Sequence, residues 1–345
     1  MKEFEYNKIA IAILNWNGLS FFRKFIQTLI NHTDKKIAGI WVIDNGSTDD
    51  SIEYLKQNFP EINIILLDKN YGFAEGYNRG LKQINSKYYL LLNSDIEVSA
   101  NWIRPLYDLM ESNRNIAVCG PKLLDYKKRG NFEYAGAAGG FIDKYCYPFC
   151  RGRIFENVEE DKGQYDSTIE CLWICGAALM IRSELYHKVG GFDPDFFAHQ
   201  EEIDLCWRLQ NLGYSIICEP KSMVFHVGGG TLHKSNPHKT FLNFRNNLFL
   251  IKKNMPQSKR YKVLFIRFFL DGIAAIRMLF QGIPGEAVSV VKAYWDFWKR
   301  SGKMKKKRKS IKPKKIKYIT GYYRKSIVIQ NFVKKIDKFS SLKFD

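Results

Sequence analysis

Short apolar runs alternate with amphipathic segments through the first hundred positions. Ile9-Ala-Ile-Ala-Ile-Leu14 is continuously apolar, the pattern of a strand buried on both faces. Ser20 to Ile30 follows with Phe22, Phe25, Ile26 and Leu29 at helical spacing. Ile40-Trp-Val-Ile43 reads as a second strand, and the polar cluster Asp44 to Asp50 after it would cap a helix over Ser51 to Phe59. Ile62 to Leu67 and Tyr88 to Leu92 are a third and fourth strand, with a Gly-rich stretch, Asn70 to Gly80, leading into a helix between them. Strand and helix in alternation predict βαβ units and a mostly parallel sheet, so the fold class is α/β and Rossmann-like. Ligands of such sheets bind beyond the carboxyl ends of the strands, where Asn15, Asp44 and Asn93-Ser-Asp95 stand.

Gly130 to Ser167 is irregular and aromatic and reads as loops around an acceptor site. Apolar character returns at Leu172 to Ile181, and a helix is expected over Glu201 to Leu212. Beyond about Thr240 the chain turns helical. Val263 to Gln281 is apolar except for Arg267, Asp271, Arg277 and Gln281. At helical spacing these four fall within an arc of about 120°, which predicts an amphipathic helix with a narrow polar stripe. A transmembrane span is disfavoured, because each central charge costs about 2.5–3.5 kcal/mol on insertion.

Charge changes the picture at one end. The chain carries a net +19 over 345 residues, but Lys299 to Asp345 holds 18 Lys/Arg against 2 acids, or +16, leaving only +3 for the rest. A basic block that follows apolar helices ending in Trp295 and Trp298 is the two-signal pattern of peripheral attachment to an anionic membrane surface. Nucleic acid is the less favoured partner, since the body lacks interleaved basic and aromatic residues. Met1 to Lys8 has no secretory-signal pattern, and seven scattered cysteines are no disulfide framework, so a cytoplasmic setting is expected.

Three acids and a histidine could carry chemistry. Asp95 closes a buried strand and could share a Mg²⁺ or Mn²⁺ with substrate phosphates, or simply cap a turn. Glu201 and Glu202 open a helix, where they could complement its dipole or supply a general base. His226 follows a short apolar strand and could be a ligand or a packed side chain. Cys146-x₃-Cys150 and Cys171-x₃-Cys175 lack the usual zinc spacing, and the glycines at 72, 76 and 80 follow the wrong strand for a dinucleotide fingerprint.

Taken together the segments resemble glycosyltransferase family two, in particular its bacterial rhamnosyltransferase-like branch. The stretches that carry the resemblance are Ile13-Leu-Asn-Trp-Asn-Gly18, Val42 to Asp49, Asn70 to Asn78 and Leu91-Leu-Asn-Ser-Asp95. They continue in family order with Cys175 to Arg182, Gly190-Gly-Phe-Asp193, Glu201 to Arg208, His226 and Arg245-Asn246. The resemblance implies that Asn15, Trp16, Asp44 and Asn45 contact the base and ribose of a nucleotide sugar, and that Asn70, Gly72 and Asn78 shape the donor loop. It implies metal ligation by Asp95 and His226, with Trp173, Gly176 and Ala177 bordering the sugar and acceptor. Asn93 stands where the family's metal triplet often begins with Asp, and Glu201-Glu202 where Glu-Asp is usual, so the base falls on Glu202 with Glu201 as substitute. The implied activity is an inverting transfer, with Mg²⁺ or Mn²⁺, from a nucleotide-diphosphate sugar, rhamnose by analogy, to a lipid-linked or oligosaccharide acceptor.

The expected organisation is a catalytic domain over 1–240, an amphipathic membrane-associating region over 241–298 and a polybasic tail over 299–345. Helix packing or a homodimer is the alternative use of the C-terminal helices. The rival functions are a nucleotidyltransferase, which would want a basic phosphate loop after the first strand, and an inactive binding protein of the same fold. Asn15-Trp-Asn-Gly18 has no Lys or Arg, and Asp95, Glu202 and His226 are intact.

Overall fold

A computed structural model of the protein describes residues 8–228 and 236–344. The amino-terminal half runs β1 (Ile9–Asn15), α1 (Leu19–Asn31), β2 (Ala38–Asp44), α2 (Ser51–Asn58), β3 (Asn63–Leu66), α3 (Gly72–Leu81), β4 (Tyr88–Leu92), β5 (Ile96–Val98), α4 (Ile103–Ser112) and β6 (Ile116–Asp125). Short strands follow: β7 (Gly140–Asp143), β8 (Pro148–Cys150), β9 (Arg153–Ile154), β10 (Asn157–Val158) and β11 (Ile169–Glu170). Then come β12 (Ala178–Arg182), α5 (Ser183–Lys188), α6 (Glu201–Leu212), β13 (Ser215–His226), α7 (Pro237–Asn254), α8 (Gln257–Phe280), α9 (Pro284–Ile311) and β14 (Tyr322–Tyr323).

The main sheet has the order β11-β13-β6-β12-β4-β1-β2-β3, with β5 added to β13. β1 to β4 are parallel and β12 is antiparallel to both of its neighbours, so the α/β reading holds with a mixed centre. The continuous apolar runs are explained by position: β1 and β4 are covered on both faces and are almost wholly buried. α1 packs on the sheet through Phe22, Phe25, Ile26 and Leu29, the residues whose spacing predicts it. Each such side chain contributes about 1.5–3 kcal/mol by leaving water.

Three expectations from the sequence need correction. The stretch 130–167 is not all loop: β7 to β10 form a second sheet in the order β10-β9-β8-β7-β14. Its strands have two to four residues, too short for a period to register. The region 299–345 is not a separate basic tail. Its first residues continue α9, and β14 then completes the second sheet by pairing with β7. Phe339 and Phe344 pack on Phe141, with ring centroids 4.9 and 5.5 Å away, which fixes the carboxyl-terminal segment to the body.

The third correction concerns α8. The first half of its polar stripe points inward: Arg267 and Asp271 are buried and form a two-pronged ion pair at 3.0 and 3.1 Å, while Arg277 and Gln281 are exposed. Asp271 also accepts from the Tyr147 and Tyr294 hydroxyls, both at 2.8 Å. The apolar side of the helix is therefore left in solvent, with Phe265, Phe268, Phe269, Ile273, Ile276 and Leu279 all exposed. Val288, Val291, Trp295 and Trp298 of α9 are exposed as well, so the hairpin carries its apolar residues outside.

Candidate active site

The crevice is built at the carboxyl ends of β1, β2, β4 and β13. Register pairs Asn15 with Asp44, so the two end residues meet. The buried Asn15 amide donates to Asp44 Oδ1 (3.0 Å) and to the Ser47 and Ser51 hydroxyls (3.0 and 2.9 Å). Asn45 donates to Asn70 Oδ1 (3.0 Å) and the Gly72 carbonyl (3.2 Å) and accepts from the Tyr71 N–H (2.9 Å). Asn15, Asp44, Asn45 and Asn70 thus lace the loops after β1, β2 and β3 into one rim. Trp16 is 48% exposed on that rim, an open ring face where a planar base could stack.

The donor loop is clamped to the segment that carries the acids. Asn78 donates to the Phe192 carbonyl (2.9 Å) and accepts from the Phe192 N–H (3.0 Å) and the Tyr186 hydroxyl (2.7 Å). Its amide is consumed by the protein, so Asn78 acts as a clamp and offers no free group to a donor. The Phe197 carbonyl accepts from the Phe73 and Ala74 N–H groups at the start of α3 (3.0 and 3.1 Å). Gly72 makes this approach possible: it has φ +77°, and a Cβ there would lie 2.5 Å from the Phe197 ring.

Asp95 and His226 lie side by side. β5 pairs with the end of β13, setting Ile96 opposite His226. Asp95 Oδ1 then lies 3.3 Å from His226 Nε2. On the far side of the ring Glu133 Oε1 is 3.2 Å from Nδ1, and Glu133 Oε2 is held by the N–H groups of Ala135 (2.7 Å) and Gly136 (3.0 Å). Sequence reasoning missed Glu133, because nothing in its spacing ties it to Asp95 or His226. Burial alone would lower the His226 pKa, but the charge of Glu133 and the contact with Asp95 outweigh it and raise it to about 10. Burial would likewise raise Asp95, yet His226 brings it below the usual carboxylate value. The site is one that attracts positive charge.

The donor set suits a divalent ion only in part. Asp95 offers a carboxylate oxygen and His226 a ring nitrogen, with Glu133 placed to orient the imidazole as carboxylates behind metal-bound histidines do. Among the described residues no three His, Cys, Asp or Glu side chains converge as a full metal cage. That leaves positions for phosphate oxygens and water, the usual state of Mg²⁺ and Mn²⁺ sites. All seven cysteines are buried as free thiols.

Glu201 and Glu202 open α6. Glu201 is buried, and its Oε2 has no hydrogen-bond partner. Glu202 is only half-buried and sits beside Gly176, where an added Cβ would stand 3.8 Å from Glu202 Cβ and 3.6 Å from the Phe73 ring. Gly176 thereby keeps the space before Glu202 open. Ala177 accepts the Asn93 N–H (2.9 Å), tying the Asn93–Asp95 loop to the same turn. Trp173 is placed differently from expectation. Its indole is buried against Gly140 and donates to the Phe141 carbonyl (3.1 Å), so it supports the turn from behind. Burial raises Glu202 to about 7, and burial together with the charge of Glu202 holds Glu201 well above the usual range. The pair cannot readily carry two negative charges, and so one carboxylate is poised to take a proton near neutrality.

The loop before α6 is strained in order to aim these acids. Phe197, His199 and Gln200 all have φ between 65° and 70°, a region that costs a non-glycine residue about 1–2 kcal/mol. α7 holds it there. Asn246 donates to the carbonyls of Phe196, Ala198 and His199 (3.0, 2.8 and 2.7 Å), while Arg245 reaches the carbonyls of Asp195 and Phe196 (both 3.1 Å). The Arg245-Asn246 stretch singled out in the sequence is therefore a brace.

A family model described as glycosyl transferase family 2 matches residues 10–190, a little over half of the chain. The low-salt glycan biosynthesis hexosyltransferase Agl10 of Haloferax volcanii is 22% identical over 79% of this chain and 85% of its own. The N-acetylglucosaminyl-diphospho-decaprenol L-rhamnosyltransferase of Mycobacterium tuberculosis is 22% identical over 63% of this chain and 75% of its own. Among solved structures, GalNAc-T7 with UDP, GalNAc and Mn²⁺ superposes with a TM-score of 0.61 at 17% identity, covering 92% of this chain and 56% of that one. The Pyrobaculum calidifontis mannosyltransferase PcManGT, with GDP-Man and Mn²⁺, gives 0.50 at 11% identity, over 96% and 89%. At these identities the solved structures speak for the fold alone. The matched sequence model, which runs through the ends of β1, β2 and β4, shows that the chain belongs to glycosyl transferase family 2.

Proposed function

We propose that the protein is a metal-dependent inverting glycosyltransferase that takes a sugar from a nucleotide-diphosphate donor to a lipid-linked or oligosaccharide acceptor at an anionic membrane surface. Two observations support the reading: Asp95 lies 3.3 Å from His226, and Glu202 stands beside Gly176 in the turn whose Ala177 carbonyl accepts from the Asn93 N–H. Trp16 stacks the base at the rim. Asp95 and His226 hold Mn²⁺ or Mg²⁺, which when bound offsets the charge that develops on the leaving diphosphate. Glu202 takes the proton of the acceptor hydroxyl, and Gly176 gives that hydroxyl room. A single displacement by that hydroxyl oxygen, with the nucleotide diphosphate leaving on the opposite face, inverts the anomeric centre. Rhamnose is the donor sugar that the mycobacterial relative supports.

The membrane component rests on the outward apolar face of α8 and α9. No helix among the described residues is long and apolar enough to cross a membrane. The acids of the hairpin are all engaged: Asp271 with Arg267, Glu286 with the Thr240 hydroxyl and Asp296 with Arg245 and Arg300. What faces out is apolar surface with exposed lysines beside it, complementary to an anionic bilayer. The deciding experiment is a screen of nucleotide sugars for protein-dependent transfer to lipid-diphosphate acceptors, with Mn²⁺ and with chelator. Transfer that is indifferent to chelator, or product with retained anomeric configuration, would overturn the proposed mechanism.

A further inference from the structure

Beside the amino end of α8 lies a pocket of about 560 Å³ into which five cations converge: Lys144, Lys259, Lys262, Lys317 and Arg324. They come from three separate parts of the chain, namely the β7–β8 turn, the first turns of α8 and the segment around β14. No acidic side chain lines the pocket. Other cations of the protein are paired, such as Lys122 with Asp161 and Asp166, and Lys303 with Asp195. Among the described residues none of these five forms an ion pair. Asp143, on the neighbouring β7, is spent on the N–H groups of Tyr145, Tyr147 and Ile327 (2.8, 2.8 and 2.9 Å). Like charges gathered in a concave site repel one another, and an anionic ligand relieves that repulsion.

The pocket also has an apolar margin. Val263 and Ile266 of α8 close one wall, and Phe265 and Phe269 of the same turns belong to the exposed apolar face. A ligand with a phosphate among the lysines could continue as a hydrocarbon chain along α8. We propose that this pocket binds the phosphate-bearing headgroup of an anionic lipid, with the acyl chains laid against the α8 face; the inference rests on the membrane reading above and adds a specific site to it.

The test uses the full-length protein and lysine acetylation read by mass spectrometry. Three additions are compared: phosphatidylcholine vesicles, the same vesicles containing phosphatidate, and inorganic phosphate. Phosphatidate vesicles should protect Lys144, Lys259, Lys262 and Lys317 and leave the exposed Lys35 and Lys36 reactive. Lys259→Ala with Lys262→Ala should weaken binding to phosphatidate vesicles by about fivefold for each charge removed. Lys305→Ala with Lys306→Ala, which removes equal charge outside the pocket, should cost clearly less. Equal losses from the two pairs would reduce the pocket to diffuse charge and overturn the proposal. Protection by inorganic phosphate at the same phosphate concentration would mean a free anion is the ligand. Vesicle binding without protection of the four lysines would sink the pocket and spare the membrane reading, whereas no binding to any vesicle would sink both.

Discussion

At the scale of single residues, the site depends on carboxylates that are held away from their ordinary protonation. Removing Asp95 as Asp95→Ala should abolish metal-dependent donor binding while the fold survives, measured by calorimetry with and without chelator. Glu133→Gln should weaken Mn²⁺ affinity by about 10–100-fold, the usual scale for a partner that orients a ligating histidine. Glu202→Gln should retain donor binding and lose transfer by at least about 10²-fold. Because Glu202 is raised to about 7, kcat/KM for the native enzyme should fall as pH drops through that value. The same shift carries a stability consequence of opposite sense. A carboxyl whose pKa rises from 4.5 to about 7 on folding destabilises the fold when ionised, with the full cost present above pH 7 and none below 4.5. Glu202→Gln should therefore be more stable than the native protein at pH 8, by on the order of 1–3 kcal/mol, and equal to it at pH 4. Equal urea midpoints at both pH values would show that Glu202 is not a strained base.

At the scale of elements, the catalytic segment is gripped by helices that follow it by more than forty residues. Lys253 of α7 is buried between Asp193 and Asp204, and Lys307 of α9 reaches Asp193 and Asp195. Burial would raise the Asp193 pKa, but these two lysines hold it well below the usual range. Replacing Lys253 by Met removes the buried cation shared by Asp193 and Asp204, which keep Lys307 and Arg208 as partners, and should cost at most about 3–5 kcal/mol in urea unfolding, whereas Lys307→Met, at a partly exposed position, should cost less. This grip was not legible in the sequence. β1 to β4 were legible, because each is a long enough apolar run to declare a buried strand. The pairing of β14 with β7 was not, since two-residue strands have no period and their partners lie some 180 positions apart. Asp95, His226 and Glu202 could be singled out from motif order, but the clamping roles of Asn78 and Arg245 depend on loop geometry. Trp173 and Glu133 show the same limit in opposite directions: one was expected at the surface of the site and lies behind it, the other was unexpected and lies within.

At the scale of the whole molecule, the helical hairpin is inverted relative to an ordinary surface helix. The spacing of Arg267, Asp271, Arg277 and Gln281 located the polar stripe, but spacing alone does not say which way a stripe faces. The buried Arg267–Asp271 pair, closed by Tyr147 and Tyr294, turns its first half inward and leaves aromatic rings in water, while Arg277 and Gln281 stay exposed. Phe280 is 89% exposed and Trp295 77%, and side chains of that size lose about 1.5–3 kcal/mol each by staying there. On the membrane reading proposed above, a bilayer would remove that cost, and the neighbouring lysines would draw the hairpin toward an anionic one. Since residues beyond Ile311 complete the second sheet, truncation would confuse folding with membrane binding, and point changes are the cleaner probe. Phe265→Ser with Phe269→Ser and Trp295→Ser should leave the urea midpoint nearly unchanged, because those rings pack little on the body. The same triple change should abolish flotation with anionic vesicles, while transfer to a soluble acceptor persists and transfer to a lipid-anchored one falls. Added salt should weaken flotation of the native protein without eliminating it, since screening reaches the lysines and not the apolar contact. Flotation of the triple variant equal to the native protein would exclude the hairpin as the membrane contact. A salt-independent dimer of the native protein, lost in the triple variant, would show instead that a second copy covers this face.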